Sequence, residues 1–456
     1  MAGALPLRSG SRIAIVGGGP AGSFFAHFAK KQAEKEGLNV ALVIFDGKDF
    51  LQRGPGGCNL CAGVISASLE TKLRQEGLFL PEERIINRID GYSLHIHAET
   101  LRLPCVDYGN GSIATVFRGN GPRYSHFPQV ISFDDFLLNS AQENGTKVIS
   151  KPVWEILLPQ KPTERAAILY GDKRPLELYD ADLVVGAFGV NTHLFKIVRD
   201  LGFHYRPPST LKTFQAEFRL GRPEIEKHFR NDIHVYLLRS KTVRYATIIP
   251  KGDYVTVSII GKKDASPELA KEFFALPEIR SIFPPSKPQC LCFPKIAVSA
   301  ARNPLSDRLV LIGDASFSRH YKNGIESAFL TAMLAAAAAF GRGVDTASLR
   351  RAFYRPAKKL IVRDNIYGRI LIRLNDVLTS VSFLSQAHFS LAGKNSRSAA
   401  AKKLRQVLWS MFTGEIPYRA IFNLTLDFRL QMALFLNTIS HLVCKMKDFL
   451  AGKAPR

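Results

Sequence analysis

Arg12-Ile13-Ala14-Ile15-Val16-Gly17-Gly18-Gly19-Pro20-Ala21-Gly22 is the stretch on which the reading of this chain turns. Five residues suited to a buried strand run without a break into a glycine-rich turn. Gly17 permits the tight turn, Gly19 lets backbone approach a diphosphate, and Gly22 lets the following helix pack closely on the strand. That helix, predicted from Ala21 to Glu36, points its free amides and the positive end of its dipole at the phosphates. A second apolar run, Val40-Ala41-Leu42-Val43-Ile44-Phe45, ends at Asp46, where an acid meets ribose hydroxyls. The motif describes a dinucleotide site without choosing between NAD and FAD.

A second motif makes the choice. Arg308-Leu309-Val310-Leu311-Ile312 runs into Gly313-Asp314-Ala315, another buried strand, ending in an acid that can meet a ribityl or phosphate group. A long apolar helix is predicted from Gly324 to Phe340. The two motifs, in this order and separation, point to FAD as the cofactor. Between them lies Arg53-Gly54-Pro55-Gly56-Gly57-Cys58-Asn59-Leu60-Cys61-Ala62-Gly63, too rich in glycine for a helix interior. In FAD enzymes of this layout a glycine-rich loop here passes close to the isoalloxazine ring, so the resemblance of layout implies Gly56 and Gly57 beside it, where only bare backbone comes so close.

The rest of the chain fills in an architecture. Residues 84–130 read as strands and loops, with Tyr92-Ser93-Leu94-His95-Ile96-His97 alternating. Ser132 is the expected N-cap of a helix with Asp134 and Asp135 in its first turn. Tyr179 to Gly189 reads as a third buried strand of the nucleotide core. Tyr245-Ala246-Thr247-Ile248-Ile249-Pro250 and Tyr254 to Ile260 flank Lys251-Gly252-Asp253, a hairpin signal. The expected fold is α/β. A Rossmann-like, FAD-binding core spans 11–206 and 291–345, with inserted strands at about 84–130. An antiparallel β substrate domain occupies 207–290, and a basic amphipathic helical region 346–456.

Composition bounds the function. With 456 residues and 46% hydrophobic content the chain can bury a large core. Six cysteines make no disulfide framework, and no secretory signal opens the sequence, so a cytoplasmic location is expected. The formal charge is +23. From Arg350 to Arg456, 19 Lys and Arg stand against 5 Asp and Glu, a net +14 interleaved with large apolar residues. The best apolar stretch there, Leu430 to Cys444, is too short and too polar to span a bilayer. Basic and apolar residues together imply a surface lying on the inner face of an anionic membrane, or else a helical cap on the core. Nucleic acid is a poor partner, because the basic residues alternate with aliphatics and no binding module is present.

The layout resembles the FAD oxidoreductases that include the geranylgeranyl reductases and the para-hydroxybenzoate hydroxylase type, over about residues 11–345. Gly17 to Gly22 matches their dinucleotide fingerprint. Gly313-Asp314-Ala315 with Gly324-Ile325-Glu326-Ser327-Ala328 matches their second flavin motif. Tyr245 to Pro250 is similar to the reductase branch's Tyr-x-Trp-x-Phe-Pro, with Thr247 and Ile249 in place of Trp and Phe. Gly56-Gly57-Cys58 is similar to that branch's Cys-Gly-Gly neighbourhood, in changed order. Phe188 stands where the family usually has an acid, which argues against direct reduction by NADPH. The resemblance implies cofactor contacts at Gly17, Gly19, Ala21, Gly22, Asp46, Gly56, Gly57, Gly313, Asp314, Gly324 and Ile325.

Candidates for chemistry are fewer. His320 has the ordinary pKa range of a general acid at neutral pH. Tyr245 can donate a hydrogen bond in the pocket, and Cys58, Asn59, Cys61, Arg319 and Tyr321 flank the motifs. Cys58 and Cys61 form a potential dithiol. With Cys290 and Cys292 they make an alternative four-thiolate metal site, and inert thiols are the third reading. His95 and His97 read as structural. The expected function is reduction of carbon–carbon double bonds in an isoprenoid or other lipid-like small molecule, with the electron donor open. A flavin monooxygenase of an aromatic or polyketide substrate and a flavin-binding scaffold without turnover are the alternatives.

Overall fold

The computed structural model describes residues 5–58, 62–96, 99–105, 112–161, 163–283, 287–321, 323–393 and 398–450. Its first layer is a six-stranded sheet centred on Arg12–Val16. Ala41–Phe45 and then Lys147–Ile149 lie on one side; Leu183–Gly186 and then Leu309–Leu311 lie on the other, all parallel. Leu305–Ser306 closes that edge antiparallel. The strands are continuous apolar runs because both faces of the sheet are covered. On one face, helices Pro20–Lys35 and Gly324–Gly341 pack together, with Phe329 edge-on to Phe24 at 5.4 Å and to Phe28 at 5.1 Å. The second of these helices is long and apolar enough to cross a membrane, but most of it is buried in this layer. On the other face, a three-stranded sheet of Val153–Leu157, Ala166–Tyr170 and Glu177–Ala181 packs on Ala14, Val16, Val43 and Phe45.

The second layer is a seven-stranded sheet. Its order is Cys290–Cys292, Phe214–Arg219, Tyr254–Gly261, Val243–Lys251, Asp232–Leu237, Gly91–Ile96, Glu99–Pro104. The expected hairpin is present, with Lys251 opposite Tyr254 and Gly252 at φ +63° in the turn. One placement differs from the sequence reading. Strands 91–104, assigned to the nucleotide core, complete the substrate sheet through a parallel pairing of Gly91–Ile96 with Asp232–Leu237. Asp232 fixes that join: it accepts the Ser93 hydroxyl at 3.1 Å and a two-pronged contact from Arg102 at 2.7 and 3.0 Å. The pairing also aligns Tyr92, Leu94 and Ile96 with Ile233, Val235 and Leu237 on one apolar face.

The helical region covers that face. Helices Asp364–Ser380, Ser382–Gly393, Ala399–Thr413, Tyr418–Thr425 and Phe428–Leu450 bury Leu371, Phe389, Leu404, Val407, Trp409 and Ile421 against it. Trp409 meets Tyr92 edge-on at 5.5 Å. Each such side chain contributes about 2 kcal/mol on burial, so the tail is held to the sheet as firmly as a domain core. Smaller expectations also meet their structures: Ser132 caps helix Phe133–Glu143, its hydroxyl accepting the Asp135 amide at 3.1 Å.

Candidate functional site

A cavity of about 1330 Å³ runs from the glycine turn to the tail helices. Gly17 opens its nucleotide end at φ +108°, and a Cβ there would lie 2.7 Å from the Ala187 carbonyl oxygen. A Cβ on Gly22 would lie 1.9 Å from the Gly17 carbonyl, so only glycine lets the helix start this close to the strand. Gly19 precedes the helix and Pro20 takes its first position, which leaves the first-turn amides aimed at the cavity. Asp46 accepts the Gly18 amide at 2.6 Å and the Lys48 amide at 2.8 Å. Burial raises its pKa, while those amides work to keep it ionised.

The second motif arrives at the same place. Gly313, at φ +60°, comes so close to the first helix that a Cβ would sit 2.9 Å from the Ala21 Cβ. Asp314 lines the cavity, and one of its carboxylate oxygens is buried without a hydrogen-bond partner. Burial raises the pKa of this acid, opposed by Ser318 and Arg118. A buried orphan acceptor beside the N-terminus of helix Gly324–Gly341 fits a ligand hydroxyl such as a ribityl group offers. Together with the glycine cradle, the donor set fits FAD. Of the expected contacts, Gly17, Gly19, Ala21, Asp46, Asp314, Gly324 and Ile325 line this cavity. Gly22 and Gly313 lie behind it and permit the packing.

Arg118 is a cavity residue that the motif reading missed. It is buried and forms a two-pronged pair with Asp134, one contact at 2.8 Å. The available signal was Asp134 itself, an acid in the first turn of a helix otherwise headed into the core. A fully buried carboxylate calls for a fork-shaped cation.

Other candidates are displaced. Gly56 and Gly57 do not line the cavity. A Cβ on Gly57 would lie 2.1 Å from the Gln52 carbonyl oxygen and one on Gly56 2.7 Å from the Gln52 side chain, so these glycines serve the loop's own turn. Ala62 and Val64, further along, reach the cavity instead. His320 is buried and off the cavity wall, with its amide bound to Asn365 at 2.9 Å and its carbonyl accepting the Tyr418 hydroxyl. Burial, reinforced by Arg369 and Arg244, lowers its pKa to about 4, so it has no proton to give at pH 7. Tyr245 does line the cavity, beside Arg244 and Tyr321. Burial raises its pKa far above neutrality, so it keeps its proton and can donate it in a hydrogen bond.

Cys58 lines a separate pocket of about 40 Å³ with Cys290, Cys292 and Glu217. The structure therefore brings the loop cysteine to the distant pair, as the metal reading requires, whereas the dithiol reading turns on Cys61, outside the described residues. Yet burial raises the Cys290 pKa and pushes Cys292 up to about 12, the opposite of a reactive thiolate. Among the described residues no group of three or more His, Cys, Asp or Glu is arranged to hold a metal ion. Asn59, Cys61 and His97 lie outside the described residues. His95 packs on Tyr236 at 4.3 Å and meets His234 at 2.8 Å, and burial lowers both histidine pKa values to about 4.

Past Tyr245 the cavity becomes an apolar chamber. Ile233, Val235 and Ile249 line it from the sheet, and Leu371, Met411 and Phe412 from the tail. Arg319 braces the cavity wall, its guanidinium reaching Glu326 at 3.1 Å and the carbonyls of Gly414 and Ile416 at 3.1 and 3.0 Å. Burial works to raise the Glu326 pKa, but Arg319, Lys72 and Asn323 hold it below the usual range.

A parallel nucleotide sheet, a mixed sheet beside it and one cavity joining them define the fold of the FAD-dependent oxidoreductases. Over 92% of its length the chain superimposes on the whole of a geranylgeranyl bacteriochlorophyll reductase-like protein from Thermoplasma acidophilum, with a TM-score of 0.65 and 15% identity. It also matches p-nitrophenol 4-monooxygenase of Pseudomonas putida, with a TM-score of 0.59 and 14% identity over 89% of this chain and 98% of that one. In sequence it is 24% identical to geranylgeranyl diphosphate reductase of Synechocystis over 254 residues. That alignment spans 54% of each protein, about half the length of the curated relative. No protein-family model matches the chain.

Proposed function

We propose that this chain is an FAD-dependent oxidoreductase that reduces carbon–carbon double bonds in an isoprenoid or other lipid. The observation that carries the reading is continuity: one cavity joins a nucleotide cradle to an apolar chamber whose lining suits a hydrocarbon chain. FAD, when bound and reduced by an external electron donor, would supply the hydride. Gly17, Gly19 and the helix amides seat its diphosphate, Asp46 takes ribose hydroxyls, and Asp314 takes a ribityl hydroxyl. Arg118, paired with Asp134, presents its guanidinium to that end. Tyr245 lines the same cavity beside Arg244 and Tyr321 and offers a hydrogen-bond donor to the substrate. Thr247 and Ile249 face the chamber in place of the larger residues of the reductase motif, which widens the space around the chain. Phe188 lines the nucleotide end and packs edge-on to Phe195 at 5.7 Å, giving that wall an apolar surface where an acid would greet a pyridine nucleotide.

The test is an absorbance spectrum followed by anaerobic titration. Flavin bands at about 370 and 450 nm are expected. Dithionite should bleach them, NADPH should not, and geranylgeranyl diphosphate should restore them to the reduced protein. Oxygen uptake driven by NADPH and raised by a phenol would replace this reading with a monooxygenase. No flavin after reconstitution, or flavin retained by Gly19→Trp, would overturn the cradle.

A further inference from the structure

Two tail helices carry apolar stripes that no described element covers. On Asp364–Ser380, Ile366, Ile370, Leu374 and Val377 follow at spacings of four, four and three, one face of a helix, and all are exposed. On Phe428–Leu450, Phe428, Met432, Phe435, Ile439 and Val443 repeat the pattern, again exposed. Exposed apolar stripes of this extent mark an interaction surface.

Leu374, Val377 and Phe435 of these stripes, and Leu426 in the turn just before the second helix, are 49%, 55%, 61% and 62% exposed, and all four also line the cavity. The patch therefore surrounds the cavity's mouth. A protein seated over it would plug the chamber, whereas a lipid surface would feed it. Charge points the same way. Lys358, Lys359, Arg363, Arg369, Arg373 and Arg429 are exposed around the stripes. No Asp or Glu is exposed among the described side chains of residues 364–446: Asp364 is buried near Arg319, Asp376 pairs with Arg244, and Asp427 pairs with Lys403. An apolar surface ringed by cations and cleared of acids complements an anionic leaflet.

We infer that these two helices rest on an anionic bilayer, and that a lipid chain moves sideways from the leaflet into the chamber between Leu374, Val377, Leu426 and Phe435. The uptake step rests on the lipid reduction proposed above; the docking step does not. Deleting the tail would remove the chamber wall, so the test uses surface substitutions in the full chain. Met432 and Ile439 lie on the patch and do not line the cavity.

The native chain should float with vesicles containing one-third phosphatidylglycerol and much less with phosphatidylcholine alone. Met432→Glu/Ile439→Glu should lower that partition by about tenfold or more, with bound flavin and melting temperature unchanged. Val377→Trp/Leu426→Trp should leave flotation intact but slow reoxidation of the reduced protein by geranylgeranyl diphosphate held in vesicles. Native protein that stays off both vesicles, or an unaltered partition of the double glutamate variant, would overturn docking. So would a native dimer that the same variant splits in sedimentation, because the patch would then be a contact between copies. If neither dispersed nor vesicle-held lipid reoxidises the native protein, the reduction reading and lateral uptake fall together, and flotation still decides docking.

Discussion

The two ends of the cavity are built by different means. At the nucleotide end, Gly17 and Gly22 hold backbone against backbone, Gly313 lies against the Ala21 methyl, and the polar groups that face inward come from short stretches beside each strand. At the chamber end, the walls are side chains from strands at 91–104 and 232–260 and from helices beginning at Asp364, elements far apart in the chain. The first end depends on the absence of atoms, the second on their presence. Substitution should therefore hurt the two ends in opposite ways: additions break the cradle, and deletions break the chamber.

The largest effect should follow an addition. Gly22→Val puts a branched side chain where a Cβ alone already lies 1.9 Å from the Gly17 carbonyl. A loss of about 3 kcal/mol or more is expected, with no flavin bound, read by denaturant unfolding and absorbance at about 450 nm. A Gly22→Val chain that still binds flavin would mean that close packing does not build the cradle. A deletion at the other end should be milder and separable. Leu404→Ala, in the layer between tail and sheet, should cost about 3 kcal/mol at most yet leave flavin bound. Loss of flavin from that variant would show the two ends to be one cooperative unit.

The smallest effect sits at the seam between the ends. His320 titrates at about 4 when folded and at about 6.5 when unfolded. Between those values the unfolded chain binds a proton that the folded chain refuses, so stability falls as pH drops through 6.5 and levels off near 4. His320→Gln should blunt the loss between pH 7 and 4.5 by about 2 kcal/mol, measured as unfolding midpoints at each pH. Equal losses in both proteins would place the acid sensitivity elsewhere, with His95 and His234 next in line.

This division also explains what could be read from the sequence. A cradle made of glycines, a strand and a following acid is a local object, so the two strand–glycine motifs and the hairpin at Gly252 stood out by spacing alone. The chamber is an object of tertiary pairing. Alternation in Tyr92-Ser93-Leu94 announces an apolar face but does not name the strand that pairs with it; Asp232 makes that choice from 139 residues away, through Ser93. The tail's basic, apolar pattern announced an interface, and two alternatives were open, membrane surface or cap. The structure shows the cap, and it leaves a second face of the same helices bare. Gly56 and Gly57 misled for a related reason: a glycine needed by its own turn looks the same in sequence as one needed by a ligand. His320 misled because proximity to the Gly-Asp-Ala motif says nothing of which way the ring is buried.

Arg319 has a consequence for how the protein is made. Its partners Gly414 and Ile416 follow it by about a hundred residues, and Asp364 by 45. During synthesis the nascent chain must therefore carry a guanidinium and an uncovered greasy sheet for several seconds, at about 5–20 residues per second, before the segment that satisfies both leaves the ribosome. A ribosome stalled in that interval would hold an aggregation-prone intermediate, and a chaperone should be met there, just before the roof is laid.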